Sequence, residues 1–286
     1  MGEAHVRAPS AAGARRVEAA IRRRTARGER ALVPFLTAGD PSEGESLERL
    51  RACADAGADV LEVGLPFSDP VADGPTLQAA AFRALAAGGG TETTFRLVSR
   101  LKAERPDLPV VLLTYLNPVL RPGLEAFMAR AAGAGVDALL VPDLSLEESD
   151  PVRRAAHAAE LGLLPFAAPT TGPGRLARLA EVAEGFVYCV ARLGVTGANE
   201  EVAESAAAVV RGVRGVTDVP CAIGFGIGTP QAAAGAARLA DAVIVGSALA
   251  APAAGDGPPD ARSIADLLGA MRRAMDERTR AGQEGS

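Results

Sequence analysis

The sequence predicts an α/β fold: a single closed (β/α)8 barrel of the TIM type, with one extra helix at its N-terminal side. Short apolar runs alternate with helix-like segments, and this alternation is typical of parallel strand–helix units. The chain has 286 residues, and about 250 residues are usual for eight such units closed into a barrel. An open doubly wound sheet is the alternative. The apolar runs are, in order, Ala31 to Leu36, Val60 to Val63, Val110 to Leu113, Ala138 to Val141, Leu163 to Ala167, Phe186 to Val190, Ala222 to Gly224 and Ala242 to Val245.

The first predicted element is an amphipathic helix in the Arg-rich segment 15–30. Val17, Ala20 and Ile21 give it an apolar face, which we expect to cover one end of the barrel. The segment also carries acidic residues and lacks an apolar stretch, so a secretory signal is not expected. The predicted domain limits are 1–14 for a flexible extension, 15–278 for the barrel and 279–286 for a flexible tail.

Helix signals between the apolar runs follow in the expected order. Ser42 or Ser46 can cap a helix that stops at Gly57. Thr91 begins a second helical segment, and Pro230 suits the first turn of a later one.

Two phrases of the sequence are alike and have the same predicted structure. They are Ala56-Gly-Ala-Asp-Val60 and Ala134-Gly-Val-Asp-Ala138. Each is interpreted as a glycine that ends a helix, followed by the entry into a strand.

Composition restricts the class of function. A net charge of −5 and a pI near 5.3 favour neither nucleic acid nor an anionic membrane as partner. No apolar run approaches the roughly 20 residues needed to span a bilayer, so we expect a soluble cytoplasmic protein with a small-molecule ligand. Cys53, Cys189 and Cys221 lie far apart in apolar surroundings, as expected for buried reduced thiols. With only His5 and His157 besides, no metal site or histidine triad is predicted.

The most informative stretch runs from Leu61 to Thr76. Glu62 lies inside an apolar, strand-like run, where an unpaired carboxylate costs about 2–7 kcal/mol. Such a group is paired with another group, protonated, or used in catalysis or binding. Carboxyl groups with a perturbed pKa cluster at functional sites. Asp69 and Asp73 follow in a loop stiffened by Pro and Gly. A structural Glu62 bonded to a core neighbour, and two aspartates that only form turns, are the alternatives.

Glycine-rich turns after the last three predicted strands indicate a phosphate site. They are Gly194-Val-Thr-Gly197, Gly224-Phe-Gly-Ile-Gly228 and Gly246-Ser247. Glycine lets backbone N–H groups approach an anion, and barrels bind phosphate at the loops after strands seven and eight. Ser247 can add a hydroxyl donor.

These residues resemble the alpha subunit family of tryptophan synthase. The matching strings include Val33-Pro-Phe-Leu-Thr-Ala-Gly-Asp-Pro41, the long string from Leu61 to Gln78, and the three glycine turns, in family order over about residues 31 to 250. The resemblance implies a carbon–carbon lyase of tryptophan biosynthesis. It would cleave indole-3-glycerol phosphate into indole and glyceraldehyde 3-phosphate without a cofactor or metal of its own.

The resemblance also implies roles for individual residues. Glu62 matches the acid–base residue, and Asp73 the carboxylate that partners the indole N–H. The implied phosphate-binding residues are Gly197, Gly226, Gly246 and Ser247. The residues implied around the indole and glycerol moieties are Phe35, Leu113, Tyr115, Tyr188, Thr196 and Phe225. Leu140 lies close to them, and core packing explains Leu113 and Leu140 equally well.

The implied partner is a pyridoxal-phosphate-dependent beta subunit in an α2β2 complex, with Asp69 and Pro70 at the contact. The resemblance also implies a mobile lid over the substrate at Gly194 to Asn199. Leu116, Ser145 and Gly228 depart from the usual family residues, which bears on the interface and this lid more than on the chemistry. A stand-alone indole-releasing lyase, or a chain that mainly activates a beta subunit, are the functional alternatives. Intact Glu62 and Asp73 argue against the second of these.

Overall fold

A computed structural model of the chain describes residues 10–190, 199–224, 226–251 and 258–283, without the side chains of residues 199–203 and 278–283. Its strands are β1 Ala31–Thr37, β2 Leu61–Gly64, β3 Val110–Leu113, β4 Ala138–Leu140, β5 Gly162–Leu163, β6 Phe166–Ala167, β7 Val187–Cys189, β8 Cys221–Ile223 and β9 Ala242–Val245. Its helices are α1 Ala12–Thr25, α2 Glu43–Asp55, α3 Pro75–Ala86, α4 Thr91–Glu104, α5 Leu116–Leu120, α6 Leu124–Ala134, α7 Asp150–Ala158, α8 Pro173–Val182, α9 Asn199–Arg214, α10 Pro230–Ala236, α11 Ser247–Ala250 and α12 Ala261–Gln283.

The strands form one parallel sheet in the order β5-β4-β3-β2-β1-β9-β8-β7-β6. Strand β1 pairs with both β2 and β9, so the first and last strands are neighbours, as a barrel requires. The barrel fold predicted from the sequence is therefore confirmed, and the open sheet is excluded.

The fifth strand position differs from the prediction. The single run expected over Leu163 to Ala167 is two short strands, because Pro165 has no N–H to continue the ladder. Leu164 N donates to Leu139 O at 2.9 Å, and Tyr188 N donates to Pro165 O at 2.9 Å. Through these bonds β5 and β6 together occupy one strand position and close the ring between β4 and β7.

The buried apolar residues fall into two layers. One cluster lies between the sheet and the surrounding helices and includes Leu61 and Val63. The other fills the barrel interior and includes Phe35, Val60 and Tyr188. Because side chains alternate along a strand, Glu62 shares the inward side with Val60. The fold thus directs a carboxyl group into the barrel.

Helix α1 covers the N-terminal end of the barrel. Val17, Ala20 and Ile21 are buried in the interior cluster, as predicted. The helix begins at Ala12, three residues before the predicted domain limit at residue 15. The limits at 15 and 278 stay predictions.

Local signals explain the starts of several helices. The Ser42 side chain accepts from Glu45 N and caps α2, whereas Ser46 is buried and accepts from Gly39 N at 3.0 Å. Thr229 caps α10 with Pro230 in its first turn. No helix in the described ranges is long and apolar enough to cross a membrane.

An acidic side chain lies just before the second, fourth, sixth and eighth strand positions of the barrel. Each of these side chains binds the neighbouring strand that comes before it in the chain. Each accepts a hydrogen bond from a backbone N–H at the start of that strand, and the two repeated phrases supply two of the four acids. The bonds join Asp59 to Leu32 N (2.9 Å), Asp137 to Val110 N (2.8 Å), Glu184 to Leu163 N (2.8 Å) and Asp241 to Cys221 N (2.9 Å). The repeat is thus a device that fixes strand register at the N-terminal end of the barrel.

Replacing Asp137 with alanine is expected to lower the free energy of unfolding by about 2–3 kcal/mol, because hydrogen bonds to charged groups are lost from a buried site. Asp137 is 1% exposed and also contacts Arg16 Nε at 2.5 Å and Lys102 Nζ at 3.4 Å. Urea unfolding measures the change. The matched control is Asp55→Ala, which removes an exposed pair with Arg105 and should cost less than about 1 kcal/mol. Equal losses in the two variants would refute the role of the buried acid.

Candidate active site

Glu62 is a buried carboxyl group inside the barrel. It lies on β2 beside Phe35 of β1 and Val111 of β3, and it is 1% exposed. Its Oε2 atom has no hydrogen-bond partner among the described residues. Burial, and then the charge of Asp73, raise the pKa of Glu62 to about 8. Glu62 therefore holds a proton at neutral pH that it can give to a reacting atom.

Asp73 is the second carboxyl group of the site, in the loop before α3. Its backbone N–H donates to Pro70 O at 3.0 Å, and its carbonyl accepts from Gln78 Nε2 at 2.9 Å. Burial raises the pKa of Asp73 to about 6, and a hydrogen bond from Tyr115 opposes the rise. Asp73 is therefore mainly ionised at neutral pH. The two carboxyl groups differ in protonation state, as separate acid–base roles require.

Tyr115 connects the loop of Asp73 to the end of β3. Its hydroxyl accepts from Ala72 N at 3.0 Å and donates to the carboxylate of Asp73. The ring is 1% exposed and lies 5.5 Å from the ring of Phe67, centroid to centroid. Tyr115 thus holds the loop in place over the barrel.

Tyr188 lies inside the barrel against the turn that follows β8. A Cβ atom on Gly224 would come within 2.1 Å of the Tyr188 hydroxyl oxygen, so this turn needs glycine. Burial, followed by the charges of Glu62 and Asp73, raises the pKa of Tyr188, which keeps its hydroxyl neutral. Tyr188 therefore lies close enough to both carboxyl groups for their charges to act on its hydroxyl.

Phe35 lies between the strand of Glu62 and the last glycine turn. A Cβ atom on Gly64 would come 2.6 Å from Phe35 Cζ, and one on Gly246 would lie 3.4 Å from Phe35 Cδ1. Both glycines therefore make room for the ring. Leu113 is half-buried and packs against the interior cluster that contains Phe35. The apolar side chains of the barrel interior thus lie beside the carboxyl group of Glu62, and Asp73 follows in the loop after β2.

Of the three predicted phosphate turns, Gly246-Ser247 lies within the described residues, and the turn from Gly224 to Gly228 does so except at position 225. Gly226 follows β8 with φ +70°, a left-handed conformation that favours glycine. Gly246 follows the neighbouring β9, and Ser247 after it is exposed. Gly197, Thr196 and Phe225 lie outside the described residues.

The predicted contact residues differ in exposure. Asp69 is exposed, and its Oδ2 accepts from Ser68 Oγ at 2.5 Å. Pro70 is buried, whereas the next residue, Val71, is 77% exposed. The tip of this loop therefore presents a charged and an apolar side chain to solvent, a few residues before Asp73.

Sequence reasoning missed two groups that support the site. Asp143 accepts from Leu116 N at 2.9 Å and fixes the residue after Tyr115. Asp40 is 1% exposed and binds Arg83 through both carboxylate oxygens, at 2.8 and 2.9 Å. Asp40 and Asp143 each follow the end of a strand, which was the available signal. Their partners are distant in sequence and could not be assigned.

The three cysteines are buried and free, as expected. Within the described part of the chain, no group of three or more His, Cys, Asp or Glu side chains is arranged to hold a metal ion.

Comparisons with known proteins agree with one another. The family model of the tryptophan synthase alpha chain matches residues 21–273. A tryptophan synthase alpha chain from Carboxydothermus hydrogenoformans is 47% identical over 223 residues, which are 78% of this chain and 83% of that protein. One from Halorhodospira halophila is 46% identical over 260 residues, 89% of this chain and 94% of that protein.

Solved structures give the same result. Tryptophan synthase subunit alpha from Legionella pneumophila has a TM-score of 0.82 at 33% identity, covering 92% of this chain and 98% of that chain. A Mycobacterium tuberculosis tryptophan synthase chain has a TM-score of 0.83 at 32% identity, covering 93% and 99%. Because sequence, family model and fold coincide over nearly the whole chain, the protein belongs to the tryptophan synthase alpha chain family.

Proposed function

We propose that Glu62 and Asp73 cleave indole-3-glycerol phosphate to indole and glyceraldehyde 3-phosphate, as the alpha-subunit step of tryptophan biosynthesis. Family membership makes the chain a lyase of this pathway. The observation that carries the residue assignment is the pair of carboxyl groups, one with its pKa raised to about 8 and the other to about 6. Such a pair can supply a proton and a negative charge at the same pH.

The reaction needs three things from these side chains. Glu62 donates its proton to the indole ring carbon that carries the side chain. The resulting carboxylate takes the proton of the glycerol hydroxyl while the carbon–carbon bond breaks and the aldehyde forms. Asp73 accepts from the indole N–H and stabilises the positive charge that develops on the ring. Protons balance, because the one given to the ring is replaced by the one from the hydroxyl.

The remaining pocket residues bind the two ends of the substrate. Phe35, Leu113, Tyr115 and Tyr188 supply apolar and aromatic surface for the indole ring, with Thr196 and Phe225 assigned to the same pocket by the resemblance. The phosphate is assigned to backbone N–H groups at Gly197, Gly226 and Gly246 and to the hydroxyl of Ser247, in the usual phosphate position of a barrel.

We assign the loop around Asp69 and Pro70 to contact with a pyridoxal-phosphate-dependent beta subunit in an α2β2 complex. Support comes from the exposed Asp69 and from Val71, which is 77% exposed.

Indole release from indole-3-glycerol phosphate, measured with and without a tryptophan synthase beta subunit, tests the proposed function. Weak release that rises strongly with the beta subunit is expected. Strong release by the chain alone would instead identify a stand-alone lyase. No release in either condition would refute the proposal.

Replacing Tyr115 with phenylalanine is expected to raise the pKa of Asp73, because the hydrogen bond that stabilises its carboxylate is lost. The acid limb of the pH profile of kcat/KM should move upward by on the order of one pH unit. The substrate's own titration cancels when wild type and variant are compared side by side. An acid limb that stays in place would show that Asp73 ionisation does not control the rate.

A further inference from the structure

A charged cluster, buried at Asp40 and Arg49, links the loop after β1 to the short helix that follows β9. It consists of Asp40, Arg49 of α2 and Arg83 of α3. We infer that Arg49 and Arg83 are positioning residues: they fix α11 and thereby the phosphate-binding turn at Gly246 and Ser247. This inference rests on the proposed function, because that turn is assigned to the substrate phosphate.

Arg49 reaches both ends of the cluster. Its side chain is almost fully buried, and Nη2 donates to Leu249 O at 2.5 Å. Nη1 donates to the backbone carbonyl of Asp40 at 2.6 Å and lies 3.5 Å from its carboxylate. One guanidinium therefore joins α11 to the loop at the end of β1.

Arg83 repeats this connection from the other side. It binds both carboxylate oxygens of Asp40, and its Nη2 also donates to Ala250 O at 3.4 Å. Leu249 and Ala250 form the end of α11, which is one turn long. The last carbonyls of a helix have no partner within the helix, and here they are buried. Two arginines satisfy them.

Burial of the Arg49 guanidinium costs free energy of desolvation, and this cost favours a role beyond stability. Arg49 Nε is buried with no partner among the described atoms. A buried ion pair contributes little net stability compared with well-packed apolar side chains. What the two arginines add is a fixed position for α11, directly after Gly246, and a ligand-binding group must be held to within about 0.5 Å to be effective.

The test compares Arg49→Met with wild type in steady-state cleavage of indole-3-glycerol phosphate, with the beta subunit present. We expect KM to rise about tenfold with kcat within about twofold, since a displaced phosphate turn weakens binding of substrate and transition state alike. The dissociation constant of inorganic phosphate should rise in parallel. Arg49→Lys, which keeps the charge, should recover part of the affinity.

Arg24→Met is the matched control. Arg24 also forms ion pairs, with Asp59 at 2.6 Å and Glu29 at 2.7 Å, which are partly buried and lie at the opposite end of the barrel. It should lower thermal stability while leaving KM and phosphate affinity unchanged. Arg83→Gln, at a half-buried position, carries the test if Arg49→Met does not fold.

The outcomes separate the two proposals. Wild-type protein that releases no indole refutes the proposed function and with it this inference. Active wild type, with KM and phosphate affinity unchanged in the Arg49 and Arg83 variants, overturns the positioning role alone. An equal rise of KM in Arg24→Met would show that general loss of stability causes the effect, and would overturn it too.

Discussion

Replacing Glu62 with glutamine is expected to lower kcat for indole release by about 10²–10⁴-fold, the range that general acid–base catalysis contributes. Glutamine has nearly the same shape, but it can neither give a proton to the ring carbon nor take one from the glycerol hydroxyl. Affinity for indole-3-glycerol phosphate and activation of a beta subunit should persist, because the phosphate turns are untouched. Cleavage that survives the change would refute the role of Glu62.

The same variant is expected to be more stable than wild type in alkaline solution. The pKa of Glu62 is about 8 in the folded chain and 4.5 for an ordinary glutamate. Between these values the unfolded chain has lost a proton that the folded chain keeps, so the free energy of unfolding falls as pH rises. Glutamine does not titrate.

We therefore expect Glu62→Gln to exceed wild type by roughly 3–5 kcal/mol above pH 8, with the difference shrinking toward pH 5. Urea unfolding at both pH values measures it. A stability difference that does not change with pH would mean that burial of Glu62 does not lower the free energy of unfolding in alkaline solution. Gain of stability with loss of activity is the expected signature of a group retained for catalysis.

Glu62 shows why part of the site is visible in the sequence. A carboxylate flanked by apolar, strand-forming residues is energetically unfavourable where it stands. A residue that breaks a local rule in this way indicates a functional group. Asp73 has no comparable signal, because Asp-Gly-Pro also forms ordinary turns; its role came from the resemblance. The structure adds the hydrogen bond from Tyr115, which residues 42 positions apart along the chain could not reveal.

The parts that were not predicted depend on contacts between distant elements. Alternating apolar runs indicated a barrel, but the division of the fifth strand at Pro165 depends on the hydrogen bonds of its neighbours. The repeated phrases around Asp59 and Asp137 indicate by themselves only a helix end followed by the entry into a strand. Their function in strand register required the partner strands, and Glu184 and Asp241 share that function without sharing the phrase. The cluster of Asp40, Arg49 and Arg83 likewise joins units one, two and eight of the barrel.

Replacing Asp73 with asparagine is expected to lower kcat/KM for indole-3-glycerol phosphate by about 10²–10³-fold, similar to the loss of one preorganised electrostatic contact in other enzymes. Asparagine can still accept from the indole N–H, but it carries no negative charge to stabilise the protonated ring. Asp107→Asn is the control, because Asp107 is an exposed loop residue before β3 and should leave the rate unchanged.

The Asp73 variant also tests the coupling between the two carboxyl groups. The charge of Asp73 is one of the two causes that raise the pKa of Glu62. Without that charge the pKa of Glu62 should fall, so Glu62 loses its proton at a lower pH. Because the reaction begins with protonated Glu62, the basic limb of the residual kcat/KM profile should move to lower pH. A reduced rate with an unmoved basic limb would separate the two roles, leaving Asp73 as a substrate contact that does not tune Glu62.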